Sequence, residues 1–170
     1  MGLLARFRGP SSETPRMDYD LLVAQATSLL ADESNFIANA ANFAAFIYHE
    51  IPELNWAGFY FTAPSGDLVL GPFNGRPACT RLPEGRGVCG AAVTSGQTLV
   101  VDDVHTFADH IACDSASVSE IVVPLRARSA IIGVFDIDSP RAARFSEGDR
   151  AGIERLVQVF LNASESELMQ

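Results

Sequence analysis

Apolar residues recur at helical spacing through residues 18–31 (DYDLLVAQATSLLA) and again through 35–50, with a polar break at Asp32–Ser34. In the second stretch Phe36, Ile37, Ala40, Phe43, Ala44 and Ile47 fall on one stripe, so two helices with core-packing faces are expected. Beyond them the period drops to two. NWAGFYFT (55–62) is expected as a strand, APSGD as a turn and LVLGPF (68–73) as the hairpin partner. ACTRL (78–82) predicts a short strand, VCGAAVTSG (88–96) a short helix stopped by Gly96, and TLVVDDV (98–104) a further strand. After a long polar stretch over 105–118, EIVVPLR (120–126) and AIIGVFDID (130–138) predict adjacent strands joined by a tight turn. Ser146, with Asp149 three residues on, opens a last amphipathic helix reaching about residue 162.

The late strands are joined too closely for helical crossovers, so the sheet should be mostly antiparallel. The expected class is α+β, with the N- and C-terminal helices packed on one sheet face. Loops 76–90 and 105–118 are left for the other face, where a site would form. Residues 1–16 hold only a three-residue apolar tract, too little for a secretory signal, and Arg6 stands where a myristoylation signal needs Ser or Thr. They are expected to be a flexible leader ahead of a single domain over 17–162 and a tail over 163–170.

Composition narrows the class of partner. A 170-residue chain, 48% hydrophobic and 19% charged, can bury the core of one domain. Its net charge of −9, with every cation an arginine, argues against nucleic acid and against an anionic membrane surface. No apolar run approaches the ~18–20 residues of a transmembrane helix, and a cytoplasmic location is expected. The odd cysteine count (Cys79, Cys89, Cys113) does not suit a structural disulfide framework.

Strand alternation then sorts candidate chemistry. It puts Ile132, Val134, Asp136 and Asp138 on one face, the two carboxylates about 6.5 Å apart along the strand, and groups Trp56 with Gly58 and Tyr60. Taken singly, the acids fit a solvated strand end and the aromatics fit a core. Together they offer the carboxylates and ring faces that an ammonium or electron-poor centre prefers. The GRGVCG turn at 85–90 offers the backbone N–H groups that a carboxylate prefers. A free amino acid fits such a pair of sides. The three cysteines are expected in or beside the loop face, where a thiol is partly exposed and reactive. His105, His110 and Cys113 lie close in sequence, but H-x4-H and H-x2-C without a CxxC pair match no standard zinc site. No metal or cofactor is expected, and the two histidines are taken as loop-fixing hydrogen bonders. A nucleophilic thiol with two others nearby fits redox chemistry, in which a thiolate becomes a sulfenic acid and a second cysteine resolves it as a disulfide.

Three runs carry a resemblance: GPFNGRPACTRLPEGRGVCG (71–90), VDDVHTFADHIACDSASVSEIVVP (101–124) and IIGVFDIDSP (131–140). They resemble the free methionine-(R)-sulfoxide reductases, small stand-alone GAF-domain enzymes, over about residues 17–162. The resemblance implies reduction of the R-epimer of free methionine sulfoxide, thioredoxin as reductant and a homodimer. It matches Cys113 to the catalytic cysteine, Cys79 to the usual resolving cysteine and Cys89 to a third, an alternative resolving thiol. Trp56, Tyr60, Glu120, Asp136 and Asp138 match the substrate-pocket residues. Since the sulfoxide oxygen must gain protons to leave, Glu120 and Asp138 are the candidate acids, with Asp136 holding the ammonium. The competing expectation is a GAF-type redox sensor that binds a small molecule without turnover.

Overall fold

Among the described residues, three of the four α-helices start at a short polar side chain that accepts a backbone N–H. Asp18 does this for α1 (Tyr19–Leu29) and Asn35 for α2 (Phe36–Glu50). The computed structural model describes residues 17–164; the expected leader over 1–16, and all but the first two residues of the expected tail, lie outside that range. The chain continues through β1 (Trp56–Thr62), β2 (Leu68–Gly75), β3 (Arg81–Leu82), α3 (Gly87–Ser95), β4 (Leu99–Val101), β5 (Ser119–Ala127) and β6 (Ala130–Ser139). It closes with α4 (Glu147–Ala163), where Ser146 and Asp149 form the expected capping box. Gly96 stops α3 in the left-handed conformation, φ 65°. Among the described residues no helix is long and apolar enough to cross a membrane.

The six strands lie in the order β3-β2-β1-β6-β5-β4, and every neighbouring pair is antiparallel. Alternation along each strand then builds two cores. Ala57, Phe59, Ile121, Val123, Leu125, Phe135 and Ile137 face α1, α2 and α4. There Phe43, Phe59, Phe135 and Phe160 meet with ring centroids 4.7 Å apart for Phe59–Phe160 and 5.0 Å for Phe43–Phe135. Trp56, Tyr60, Val122 and Val134 face the other way, against Val88 and Ala92 of α3. The α+β class, with the N- and C-terminal helices on one sheet face, is as the sequence predicts.

Three details differ from expectation. The strand expected over 78–82 is only Arg81–Leu82; just before it the Cys79 carbonyl is taken by Tyr60 Oη (2.9 Å). The strand expected over 98–104 ends at Val101, because Asp103 caps a single 3₁₀ turn, Val104–Thr106, by accepting from His105 N at 3.0 Å. Ile132 does not share a face with Val134. Leu125 pairs with Gly133 but Arg126 pairs with Ile131, so Ile132 is the extra residue of a bulge and packs toward the helical core.

The α1–α4 contact depends on a missing side chain. The Tyr19 ring lies across Gly152, where a Cβ would come within 2.1 Å of Tyr19 Cγ, while Tyr19 Oη donates to Asp149 Oδ1 at 2.7 Å. Gly152→Ala should therefore destabilise by ~1–3 kcal/mol through overpacking, despite alanine's better helix propensity. Thermal unfolding should show a midpoint lower by roughly 2–10 °C; an unchanged or higher midpoint contradicts the contact.

Candidate active site

Register, which the periodicity of a single strand cannot supply, assembles the site. β6 lies between β1 and β5, so Asp138 pairs with Trp56 on one side and Glu120 on the other, and Val101 of β4 continues the row. Two residues back along β6, Asp136 pairs with Gly58 and Val122. Glu120, Asp136 and Asp138 thereby share one face of adjacent strands, where direct partners have Cα atoms about 4.5–5.5 Å apart. Glu120 is 5% exposed and Asp136 6%.

The aromatic side of the site depends on Gly58. A Cβ there would lie 2.3 Å from Phe73 Cβ and 2.6 Å from Trp56 Cη2. Without it, Trp56 stacks between Phe73 and Tyr60, with centroids 5.4 and 5.9 Å away. Trp56 Nε1 donates to the Arg76 carbonyl at 3.2 Å, and the Tyr60 hydroxyl donates to the Cys79 carbonyl at 2.9 Å, so both rings are fixed from the β2–β3 loop.

Loop 105–118 is fastened at its ends and middle. Val104 N donates to Val118 O and Val118 N to Ser139 O, each at 2.8 Å. Asn55 Nδ2 donates to Asp114 Oδ2 at 3.2 Å and to Ser117 Oγ at 2.9 Å, which ties the residues around Cys113 to the start of β1. His105 Nδ1 lies 2.8 Å from Asp103 Oδ1, the loop-fixing contact expected of it. Cys113 is disulfide-bonded to Cys79, with Cα atoms 5.4 Å apart, joining this loop to the one before β3. Both cysteines are half-buried.

Cys89 is placed differently from expectation. It is 4% exposed, because the first turn of α3 is pressed onto the sheet by Val88 and Ala92. Its Sγ lies 3.5 Å from Asp136 Oδ2 and 4.0 Å from Glu120 Oε1. Of the three thiols, only Cys79 and Cys113 have the partial exposure read from the sequence.

Cys89, Cys113, Tyr60, Glu120, Asp136 and Asp138 border one cavity of about 40 Å³, room for about three waters. Cys79 and Trp56 are not among its lining residues; Trp56 backs Tyr60 instead. Arg86, Gly87 and Val88 bring the start of α3 to the rim, and Arg86 gives that helix no side-chain cap, which leaves first-turn N–H groups to other partners. Ser117 and Asp114 also reach the cavity. Asn55, Ser117 and Arg86 were not singled out in the sequence, since a lone polar residue carries no periodic signal.

Crowded burial sets the protonation of the cluster. Burial, then the negative field of Asp136 and Asp138, raises Glu120 well above the carboxylate range. Burial pushes Asp136 up to about 7, offset by hydrogen bonds from Cys89, Glu120 and the backbone. Burial and Asp136 together raise Asp138, and burial with the surrounding acids raises the Cys89 thiol. The Cys89, Glu120 and Asp136 donor atoms lie within 4.8 Å of one another, but these raised groups hold protons that a metal would have to displace. The zinc grouping considered from spacing is not assembled either, because Cys113 spends its sulfur on Cys79.

A buried carboxyl held protonated stabilises the fold at low pH and loses that stabilisation as pH rises. For Asp136, which moves from 3.8 in the unfolded chain to about 7, the window is about pH 4–7 and the loss is on the order of 4 kcal/mol. The urea midpoint should fall between pH 5 and 8, and Asp136→Asn should flatten the decline. A midpoint that rises over this range contradicts the buried cluster.

The chain has close relatives of known activity. The GAF domain family matches residues 21–163. The free methionine-R-sulfoxide reductase of Escherichia coli (strain K12) is 51% identical over 130 residues, which are 76% of this chain and 78% of that protein. The protein of the same name from Saccharomyces cerevisiae is 39% identical over 132 residues, 74% of this chain and 73% of that protein. The X-ray structure of free methionine-R-sulfoxide reductase from Neisseria meningitidis in complex with its substrate has a TM-score of 0.85 at 44% identity, covering 89% of this chain and 90% of that one. With this coverage at these identities, and with the GAF fold around the cysteine and carboxyl cluster, the chain belongs to the GAF-domain family of free methionine-R-sulfoxide reductases.

Proposed function

We propose that the chain reduces free L-methionine-(R)-S-oxide to methionine, with Cys113 as nucleophile and Cys79 as resolving thiol. The observation that carries this is the disulfide between the two cysteines, of which only Cys113 borders the cavity shared with Glu120, Asp136 and Asp138. In the reaction the Cys113 thiolate attacks the sulfoxide sulfur while the sulfoxide oxygen takes a proton from a neutral carboxyl, Glu120 or Asp138. The oxygen passes to Cys113 as a sulfenic acid, so the cysteine sulfur is oxidised by two electrons and the substrate sulfur is reduced by two. Cys79 then attacks Cys113, water leaves, and the disulfide remains.

Three features support the substrate assignment. Asp136 Oδ1 is buried with no hydrogen-bond partner, a waiting acceptor for the ammonium. The uncapped start of α3 offers N–H groups to the carboxylate, and Tyr60, backed by Trp56, offers a ring face to the S-methyl end. Both charged ends are used, which favours the free amino acid over a residue within a chain. The disulfide is the product of turnover, so Cys113 must be reduced before substrate is attacked again. Thioredoxin, a dithiol protein reaching the half-buried disulfide, is the reductant in this reading; a homodimer and a cytoplasmic setting complete it. The test is methionine formation from the free R-epimer with thioredoxin present. No product from the free R-epimer would sink the substrate assignment.

A further inference from the structure

We propose that Cys89 is a positioning residue rather than a redox thiol: its buried S–H donates to Asp136 Oδ2, so that Asp136 gives up its proton before Glu120, which keeps its own. This rests on the functional reading above and assigns the acid within it.

The geometry favours a fixed donor. Cys89 projects from the first turn of α3 onto the face of the paired strands β5 and β6, 3.5 Å from Asp136 Oδ2 and 4.0 Å from Glu120 Oε1, both within reach of a thiol donor. A thiol has one hydrogen, and the nearer acceptor is Asp136. Resolving a sulfenic acid requires a thiolate, and a thiolate here would sit buried against two carboxyls, with Asp138 and the Tyr60 phenol also on the sheet side. Arg86, His110 and Asp114 border the same cavity from the loop side; Arg86 is drawn outward by Asp109, 3.7 Å away. Of the three carboxyls, Asp136 is the one stabilised as an anion by two side-chain donors, Cys89 and Glu120, while Glu120 has only influences that favour its neutral form. Asp136 as anion suits the substrate ammonium, and its Oδ1 is left without a protein partner. Cys89 therefore separates the roles of two adjacent acids without changing its own oxidation state.

The test compares Cys89→Ala with Cys89→Ser in the full-length chain. Both remove the sulfur's bulk, but serine keeps a donor, so their difference isolates the hydrogen bond. Wild-type turnover of the free R-epimer is measured first; its absence would overturn the functional reading and this inference with it. Given turnover, Cys89→Ala should lower kcat/KM about tenfold below pH 7 and move its acid limb up by about one pH unit. Cys89→Ser should stay within about threefold with the limb in place. Both variants should form the Cys79–Cys113 disulfide after one turnover without reductant. Cys89→Val, which restores volume without a donor, repeats the comparison if the alanine variant is unstable. A wild-type profile in both variants, or equal losses with an unshifted limb, overturns the positioning role. So does a Cys89–Cys113 disulfide in the wild type.

Discussion

Cys113→Ser is expected to lower turnover of free methionine-R-sulfoxide by about ten-thousandfold or more, the scale seen when a covalent nucleophile is removed. The serine hydroxyl is a far weaker nucleophile than a thiolate, and no second thiol is placed to take over. Cys79 is not among the cavity-lining residues, and Cys89 is buried against carboxyls that keep it protonated. Cys79→Ser should behave differently. It should still release one methionine per chain in the absence of reductant, leaving Cys113 with one extra oxygen and no disulfide. Initial rates, product counts and intact mass distinguish the two variants. Undiminished turnover in Cys113→Ser would remove the nucleophile from this mechanism.

Glu120→Gln should cost about a hundredfold to a thousandfold in kcat, the range for a lost general acid. Glutamine keeps the shape and can still donate a hydrogen bond, but it cannot release a proton to the departing oxygen. The pH profile carries the sharper signature. Burial, Asp136 and Asp138 hold Glu120 neutral to well above the ordinary carboxylate range, and its acid form is the active one. Wild-type kcat should therefore fall as pH rises through that elevated value, and the fall should vanish in Glu120→Gln. A limb that persists in the variant points to Asp138 as the donor instead.

Much of this arrangement is legible in the sequence because it depends on local rules. Ser146 followed by Asp149 is a capping box, Gly96 stops a helix, and the alternation of WAGFYF and GVFDID separates the side chains on the cavity side of the sheet from Phe59, Phe135 and Ile137. What escaped depends on non-local pairing. Nothing along one strand says that Asp138 will lie between Trp56 and Glu120, because that register is set by how three separate strands align. The bulge at Ile132 reverses a face that strict alternation assigns wrongly. Cys89 sits in a glycine-rich turn that looks exposed in sequence, and only the packing of Val88 and Ala92 against the sheet buries it. Asp103 illustrates a third kind of override, in which a side-chain cap ends an apolar strand that propensity would extend. Cys79 and Cys113 lie 34 residues apart, and spacing does not pair them; the family resemblance does.

Mass spectrometry of the fully reduced protein after one addition of free methionine-R-sulfoxide, with no reductant present, tests the central claim most directly. One methionine should appear per chain, together with a single disulfide mapping to Cys79–Cys113 and Cys89 still a free thiol. A chain that binds the sulfoxide, yields no methionine and keeps all three thiols would contradict the enzyme and favour a sensor.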